Sequence, residues 1–239
     1  MTSRLWTSVS DVPTSIQMTD MKLHFLDARG LLTDLRPWLA ALISEAHKLA
    51  VPRLNLRSID VVVQVGRFVI PEKGHVGYAH EGGIIHLTVD PSNPSLLENA
   101  DESIQRMFAH ELHHCARSDG LARTRTLGEA LVAEGLAGRF AQEIFGEPLE
   151  PWERMPVEEI LPHIEKANQE WAQKTYVHPS WFFGAASLPR WLGYSLGYRL
   201  VARYLEAFPD ENAALLACAS PDRFKPYIEP LRIELGRHA

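Results

Sequence analysis

The sequence predicts an α+β fold, with a small mixed or antiparallel sheet in its first half and helices through its second. Three observations carry this. Period-two alternation of apolar and polar residues runs through residues 57–70 and again through 84–89. Apolar residues at three- and four-residue spacing run through 31–50, 95–120, 126–146 and 188–208. The 239 residues, 46% hydrophobic with a formal charge of −6, suit one large globular domain. That domain is expected over residues 21–239, with a sheet-containing half at about 21–120 and a helical half at about 121–239.

Residues 1–20, rich in Ser and Thr, read as an irregular arm. Residues 31–50 place Leu35, Trp38, Leu39, Leu42, Ile43, Ala46 and Leu49 at helical spacing, and Pro37 fits the first turn. Ile59, Val61, Val63 and Val65 alternate as a strand, broken by Pro71 to Gly74. Residues 77–83 read as a loop, and Ile84 to Val89 as the next strand, ended by Asp90-Pro91. A helix then starts at Ser95, with Glu98 completing a capping box, or at Asp101. Arg117 and Gly120 give it a basic last turn and a stop.

Thr126, with Glu129 three residues on, caps a second helix that Gly146 ends before Pro148. A proline-rich connector follows over 147–156. Residues 157–174 read as a helix in which Pro162 forces a late start or a kink. Residues 176–184 read as an aromatic loop with a structural His178. Residues 188–208 form another helix, with Pro189 in its first turn, and 210–239 add one or two short helices and a basic end at Arg237-His238.

The chemistry concentrates at His110-Glu111-Leu112-His113-His114. On a helix His110 and His114 rise from one face about one turn, ~5.4 Å, apart. Two imidazoles so placed reach one zinc ion at about 2.0–2.1 Å. Glu111, turned about 100° away, leans over the open coordination position and acts on a water there. This spacing with Glu in second place is that of metalloproteases.

A third ligand is needed. Gly120 and Arg117 exclude the metzincin continuation, and Asp119 reads as a cap or turn residue. On the second helix Leu127, Leu131, Ala137, Ala141 and Phe145 form an apolar stripe with Glu134 in its middle. A carboxylate on a buried stripe must be paired or bound to metal. Gly135 and Gly138 beside it let another helix backbone approach. Glu134 is therefore the candidate third ligand, and Glu129 the competitor, whose capping-box role explains it without metal.

His110-Glu111-x-x-His114 followed by a Glu on a second helix resembles the gluzincin arrangement, and the interval of 20 residues (134 − 114) is similar to that of thermolysin-like enzymes. With Ala130 to Ala137 and Gly193-Tyr-Ser-Leu-Gly-Tyr198, the chain resembles a family of predicted bacterial zinc-dependent proteases with an HExHH signature, over roughly residues 50 to 208. The resemblance implies a zincin-like fold, the sheet packed on the metal-binding helix, and a metallopeptidase site with zinc as cofactor. It also implies that the strand before that helix is an edge strand. Gly83, Ile84, Ile85 and His86 would then bind peptide by strand addition. One departure is Gly138, where thermolysin-like enzymes carry an acidic residue that supports a histidine.

Gly193 and Gly197 let their helix approach the zinc helices, so a hydroxyl of Tyr194 or Tyr198 can donate to the oxyanion formed when water attacks a peptide carbonyl. The expected activity is peptide-bond hydrolysis of a peptide or protein substrate, with Glu111 as general base. Two rival readings are a zinc-stabilised binding or chaperone-like protein, with Cys115 or His113 as a fourth ligand, and a non-peptide amidohydrolase. Mild acidity argues against nucleic acid as partner, and no apolar run is long enough to span a bilayer. Two cysteines and no signal-like start place the expectation in a reducing cytoplasm. Oligomeric state is not written in the sequence.

Overall fold

The computed structural model describes residues 20–80, 83–121, 125–185 and 188–237. The arm expected at 1–20 lies, apart from Asp20, outside the described residues, and so does His238 of the basic end. The strands are β1 (Met21–Leu26), β2 (Ile59–Val65), β3 (His75–His80) and β4 (Ile84–Val89). The first helices are α1 (Arg36–Ala50), α2 (Pro94–Glu98), α3 (Ser103–Gly120) and α4 (Leu127–Phe145). After them come α5 (Val157–Ile160), α6 (Ile164–Glu170), α7 (His178–Phe183), α8 (Leu192–Ala207) and α9 (Ile228–Leu235).

The α+β class holds, with a mixed sheet of order β1-β2-β4-β3. β1, β2 and β4 run parallel, and β3 runs antiparallel to β4. Alternation buries Ile59, Val61 and Val63 of β2 and Ile85, Leu87 and Val89 of β4. On α1 the 4-3-4 spacing buries Leu39, Ile43, Ala46 and Ala50. Full burial of a Leu or Ile is worth about 1.5–3 kcal/mol. α1 packs on α3, and α3 packs on β3 and β4, so the motif helix is held between sheet and helices.

Two strand expectations are corrected. Residues 75–80, read partly as loop, form a strand whose small Gly77 and Ala79 hide its pattern. That strand, β3, ends the sheet, while β4 is interior: Asp60 pairs with Ile84 on one side and Tyr78 with His86 on the other. The carbonyl of Gly83 accepts the Asp60 amide at 3.0 Å. The backbone of Gly83, Ile84, Ile85 and His86 is therefore committed within the sheet, and strand addition there has no free edge to use.

Helix starts differ as well. Asn93, not Ser95, caps α2, its Oδ1 accepting the Ser95 amide at 2.9 Å. Asn99, Asp101 and Glu102 then adopt left-handed backbone, with φ of 41°, 57° and 55°. The chain bends there, and Asn99 Oδ1 takes the Ile104 amide at 2.9 Å inside the first turn of α3. Pro162 does break its helix: a 3₁₀ turn at Leu161–His163 separates α5 from α6. Residues 178–183, read as loop, make the single-turn helix α7.

Helices α4 and α8 cross at two glycines. A Cβ on Gly135 would lie 2.2 Å from the Gly197 carbonyl oxygen, and one on Gly197 would lie 2.1 Å from that of Leu131. The close approach that Gly135 and Gly197 suggest is thus made by backbone against backbone. It brings the N-terminal part of α8, with Tyr194, towards the motif helix.

Candidate metal centre

α3 and α4 lie antiparallel, pinned at both ends by arginines of α3. Arg117 makes a two-pronged ion pair with Glu129, Nε–Oε1 at 2.9 Å and Nη2–Oε2 at 3.0 Å. Arg106 donates to the carbonyls of Phe145 and Gly146, both at 3.0 Å, and so closes the C-terminal end of α4. Between these anchors the inward faces carry His110, His114 and Glu134.

The three side chains converge. His110 Nε2 lies 3.1 Å from Glu134 Oε2, and His114 Nε2 lies 3.4 Å from the same oxygen. The two Nε2 atoms are 3.0 Å apart. Ligand atoms bonded to one tetrahedral zinc at about 2.0–2.1 Å would sit roughly 3.3–3.4 Å from one another. The donor types, two neutral-capable imidazoles and a carboxylate, are those zinc takes. The residues therefore fit the ion. Among the described residues, no other group of His, Cys, Asp or Glu offers three donors so close.

The electrostatics follow from burial and pairing. Burial pulls the His110 imidazolium down, but the hydrogen bond and charge of Glu134, with Glu111 and Glu153, more than offset it and push the group up to about 9. Burial pushes Glu134 up, yet the charges and hydrogen bonds of His114 and His110 hold it well below the usual carboxylate range. The cluster thus prefers to hold a positive charge beside Glu134.

The competing ligands are accounted for elsewhere. Glu129 neither binds here nor reaches back to its cap: Thr126 Oγ1 takes the Glu129 amide, while the carboxylate goes to Arg117. Asp119 is bonded to Arg57. His113 is fully buried, its ring against Phe140, and its Nε2–H donates to the Ala213 carbonyl at 3.1 Å. Cys115 is buried and stands outside the donor group.

Glu111 is 8% exposed and points at the sheet. Its Oε2 accepts the Ala79 amide of β3 at 2.8 Å. Burial raises its carboxyl, and the His114 and His110 charges pull it partly back. In an antiparallel strand the N–H and C=O of one residue share a side. Ala79 and Gly77 therefore turn their polar groups outward, away from β4. Gly77 is required for this contact: a Cβ there would lie 2.2 Å from Met107 Sδ and 2.7 Å from Glu111 Cγ.

Two cavities meet at this carboxylate. One of about 690 Å³ runs over His110, His114 and Glu134, between β3 and a wall that includes Tyr176, His178 and Tyr194. The other, about 500 Å³, is walled mainly by Phe68, Val69, Ile70, Trp152, Phe183 and Trp191. Tyr194 borders both. Burial, with the Glu134 and Glu111 charges, pushes its phenol well above the usual range, so it stays protonated.

Tyr198 is placed differently from the expectation. One turn further along α8, it borders neither cavity. Its hydroxyl accepts from Arg139 at 2.9 Å and donates to Gln142, and the Arg139 guanidinium lies over its ring. It braces α8 on α4. His178, expected to be structural, stacks on Phe182 with centroids 4.4 Å apart and also lines the larger cavity. Gly77, Ala79 and Tyr176 are site-wall residues that the sequence reading missed. A glycine in a short apolar stretch before a His-Glu helix was the available signal.

Comparison with known protein families matches residues 39–223 to the family described as "Predicted Zn-dependent protease (DUF2268)". The chain belongs to this family. The matched span contains all three donor residues, Glu111 and Tyr194. The chain is also similar to "Uncharacterized protein YjfC" of Bacillus subtilis (strain 168), 31% identical over 150 residues, which is 56% of this chain and 48% of that one. "Uncharacterized protein YjaZ" of the same organism is 28% identical over 120 residues, 44% of this chain and 43% of that one. This chain thus spans about half the length of these curated relatives. Among the described residues no helix is long and apolar enough to cross a membrane.

Proposed function

We propose that the chain is a zinc-dependent peptidase of the gluzincin type, in which His110, His114 and Glu134 hold the metal and Glu111 is the general base. One observation carries this reading: three donor atoms within 3.4 Å of one another stand beside a buried carboxylate that is bonded to the edge strand of the sheet. Zinc, when bound there, would lower the pKa of a water and polarise the scissile carbonyl.

The chain's own groups supply the rest. Glu111 takes the proton of the attacking water and returns it to the leaving amine. The Ala79 amide holds that carboxylate in place while it does so. The Tyr194 phenol, kept protonated, donates to the oxyanion of the tetrahedral intermediate. A peptide lies along the outer edge of β3 and pairs with the polar groups of Gly77 and the Ala79 carbonyl. The cavity walled by Phe68, Trp152 and Trp191 takes a large apolar side chain next to the scissile bond. Cys115 and Cys218 are not joined in a disulfide, which suits work in a reducing cytoplasm.

The test is to incubate the purified chain with an unfolded protein such as casein and to count new amino termini. Cleavage that stops with a zinc chelator and returns with added zinc supports the reading. Zinc-loaded protein that yields no new termini from a broad peptide library would refute it.

A further inference from the structure

The cavity walled by Phe68, Trp152 and Trp191 is largely apolar, yet its lining includes one guanidinium. Among the described residues around it, the charged groups are His110 and Glu111, which belong to the site already described, and Arg190.

The local fold holds Arg190 there. Gly184 ends α7 with φ of 76°, and a Cβ on it would lie 2.6 Å from both the amide nitrogen and the Cα of Arg190. Glycine at 184 is what lets the segment before α8 turn back against α7. Trp191, the next residue, has left-handed backbone with φ of 71° and ψ of 8°, a conformation that bulky residues avoid. Its amide donates to the Phe182 carbonyl at 3.1 Å. Such strain persists only where the surroundings impose it, and it clusters at ligand sites.

This turn sets two side chains against each other. The Arg190 guanidinium carbon lies 3.8 Å from the centroid of the Trp191 ring. Trp152 meets the same ring edge-on, with centroids 6.2 Å apart. The buried Ser195 hydroxyl of α8 fixes that segment by donating to the Trp152 carbonyl at 2.7 Å. Arg190 Nη1 reaches Glu72 Oε1 at 3.1 Å. Glu72 follows Phe68, Val69 and Ile70 on the connector between β2 and β3, so the ion pair spans the two walls of the cavity. Both side chains are 46% exposed. An exposed pair of this kind is worth little, so another carboxylate can exchange for Glu72. A planar guanidinium takes a carboxylate through parallel N–H donors, and one laid on an aromatic ring is already oriented for it.

We propose that Arg190 anchors a carboxylate of the substrate, and that Glu72 holds that place in the free protein. The substrate is then a peptide whose large apolar side chain enters the cavity. Its carboxylate, from the chain terminus or from an acidic residue next to that side chain, replaces Glu72 on the guanidinium. This rests on the peptidase reading above and adds what the peptide must carry.

The experiment measures binding, without turnover, of fluorescent peptides to the zinc-loaded full chain carrying Glu111→Gln. Two pairs of peptides share a Phe for the cavity. One pair ends at that Phe as the free acid or as the amide; the other continues to a terminal Asp amide or Asn amide. In at least one pair the acid is expected to bind about tenfold tighter than its neutral partner, and that pair names the source of the carboxylate. The formal charge of −6 on the chain favours the neutral peptides, so a preference for the acid is local. Arg190→Gln is expected to erase the difference. Glu72→Gln, which removes the competitor, is expected to widen it. Equal binding within both pairs overturns the proposal, and so does a difference that survives Arg190→Gln. Should Arg190→Gln fail to fold, Glu72→Gln decides: a wider difference supports the proposal and an unchanged one overturns it. Peptides that bind without regard to charge sink this inference alone. No binding of any peptide, with no cleavage by the chain that retains Glu111, sinks the peptidase reading with it.

Discussion

Glu111 and Ala79 are joined across the α3–β3 contact, the carboxylate accepting the strand amide at 2.8 Å. One hydrogen bond thus ties the orientation of this carboxylate to the edge strand of the sheet.

Glu111→Gln keeps an oxygen for the Ala79 amide and removes the base. The variant should fold and bind zinc as wild type, and lose about 10²–10⁴-fold in kcat. Steady-state peptide cleavage with parallel metal analysis checks it. Full activity in this variant would remove Glu111 from the mechanism.

The two tyrosines of α8 should separate cleanly. Tyr194→Phe deletes a protonated donor at the junction of both cavities, so kcat should fall about 10²–10³-fold with little change in KM. Tyr198→Phe deletes a hydroxyl already engaged by Arg139 and Gln142, so kcat should hold while stability falls by about 1 kcal/mol. A larger kcat loss in Tyr198→Phe than in Tyr194→Phe would reverse the assignment.

Gly77→Ala places a methyl against Met107 Sδ and Glu111 Cγ, at 2.2 and 2.7 Å before relaxation. Overpacking of this kind costs about 1–3 kcal/mol. Unlike a remote core clash, it should also lower kcat, because the atom it displaces belongs to the base. Denaturant unfolding and cleavage rates on one sample check both effects. Loss of stability with an unchanged kcat would show that the strand does not set the position of Glu111.

Burial, helped by the Lys73 charge, pulls His75 down to about 3, and its Nε2 lies 2.8 Å from Ser103 Oγ. The unfolded chain takes up that proton from about pH 6.5 downward, while the folded chain refuses it until about 3. The unfolded state therefore binds more protons in that window. Stability is intact above pH 6.5 and lost as pH falls, by at most roughly 1.4 kcal/mol per unit from this group. His75→Gln should flatten the fall between pH 6 and 4 relative to wild type, in urea melts at each pH. Parallel curves for the two proteins would contradict the assignment.

The sequence was most legible where chemistry and periodicity coincide. His110, His114 and Glu134 sit at fixed positions on two strongly periodic helices, so their convergence could be argued before any coordinates. Glu129 was harder, since a cap position and an ion pair to Arg117 are both open to a carboxylate there. The edge strand was misplaced because its interior positions, Gly77 and Ala79, are small for packing reasons and carry no alternation. The resemblance puts the edge at the strand before the motif helix, which is β4, whereas β3 takes that place in the sheet. Glu153 was invisible for a different reason: it lies in an aperiodic connector, and only the tertiary fold lays its carboxylate against Gly138 of α4.

The central claim is that His110, His114 and Glu134 hold one zinc ion as a set. The most direct measurement is zinc per chain, by plasma mass spectrometry, in wild type and in Glu134→Ala after equal dialysis against a mild chelator. The account predicts one equivalent in wild type and close to none in the variant, with unfolding of the metal-free forms similar. A full equivalent retained by Glu134→Ala would contradict it.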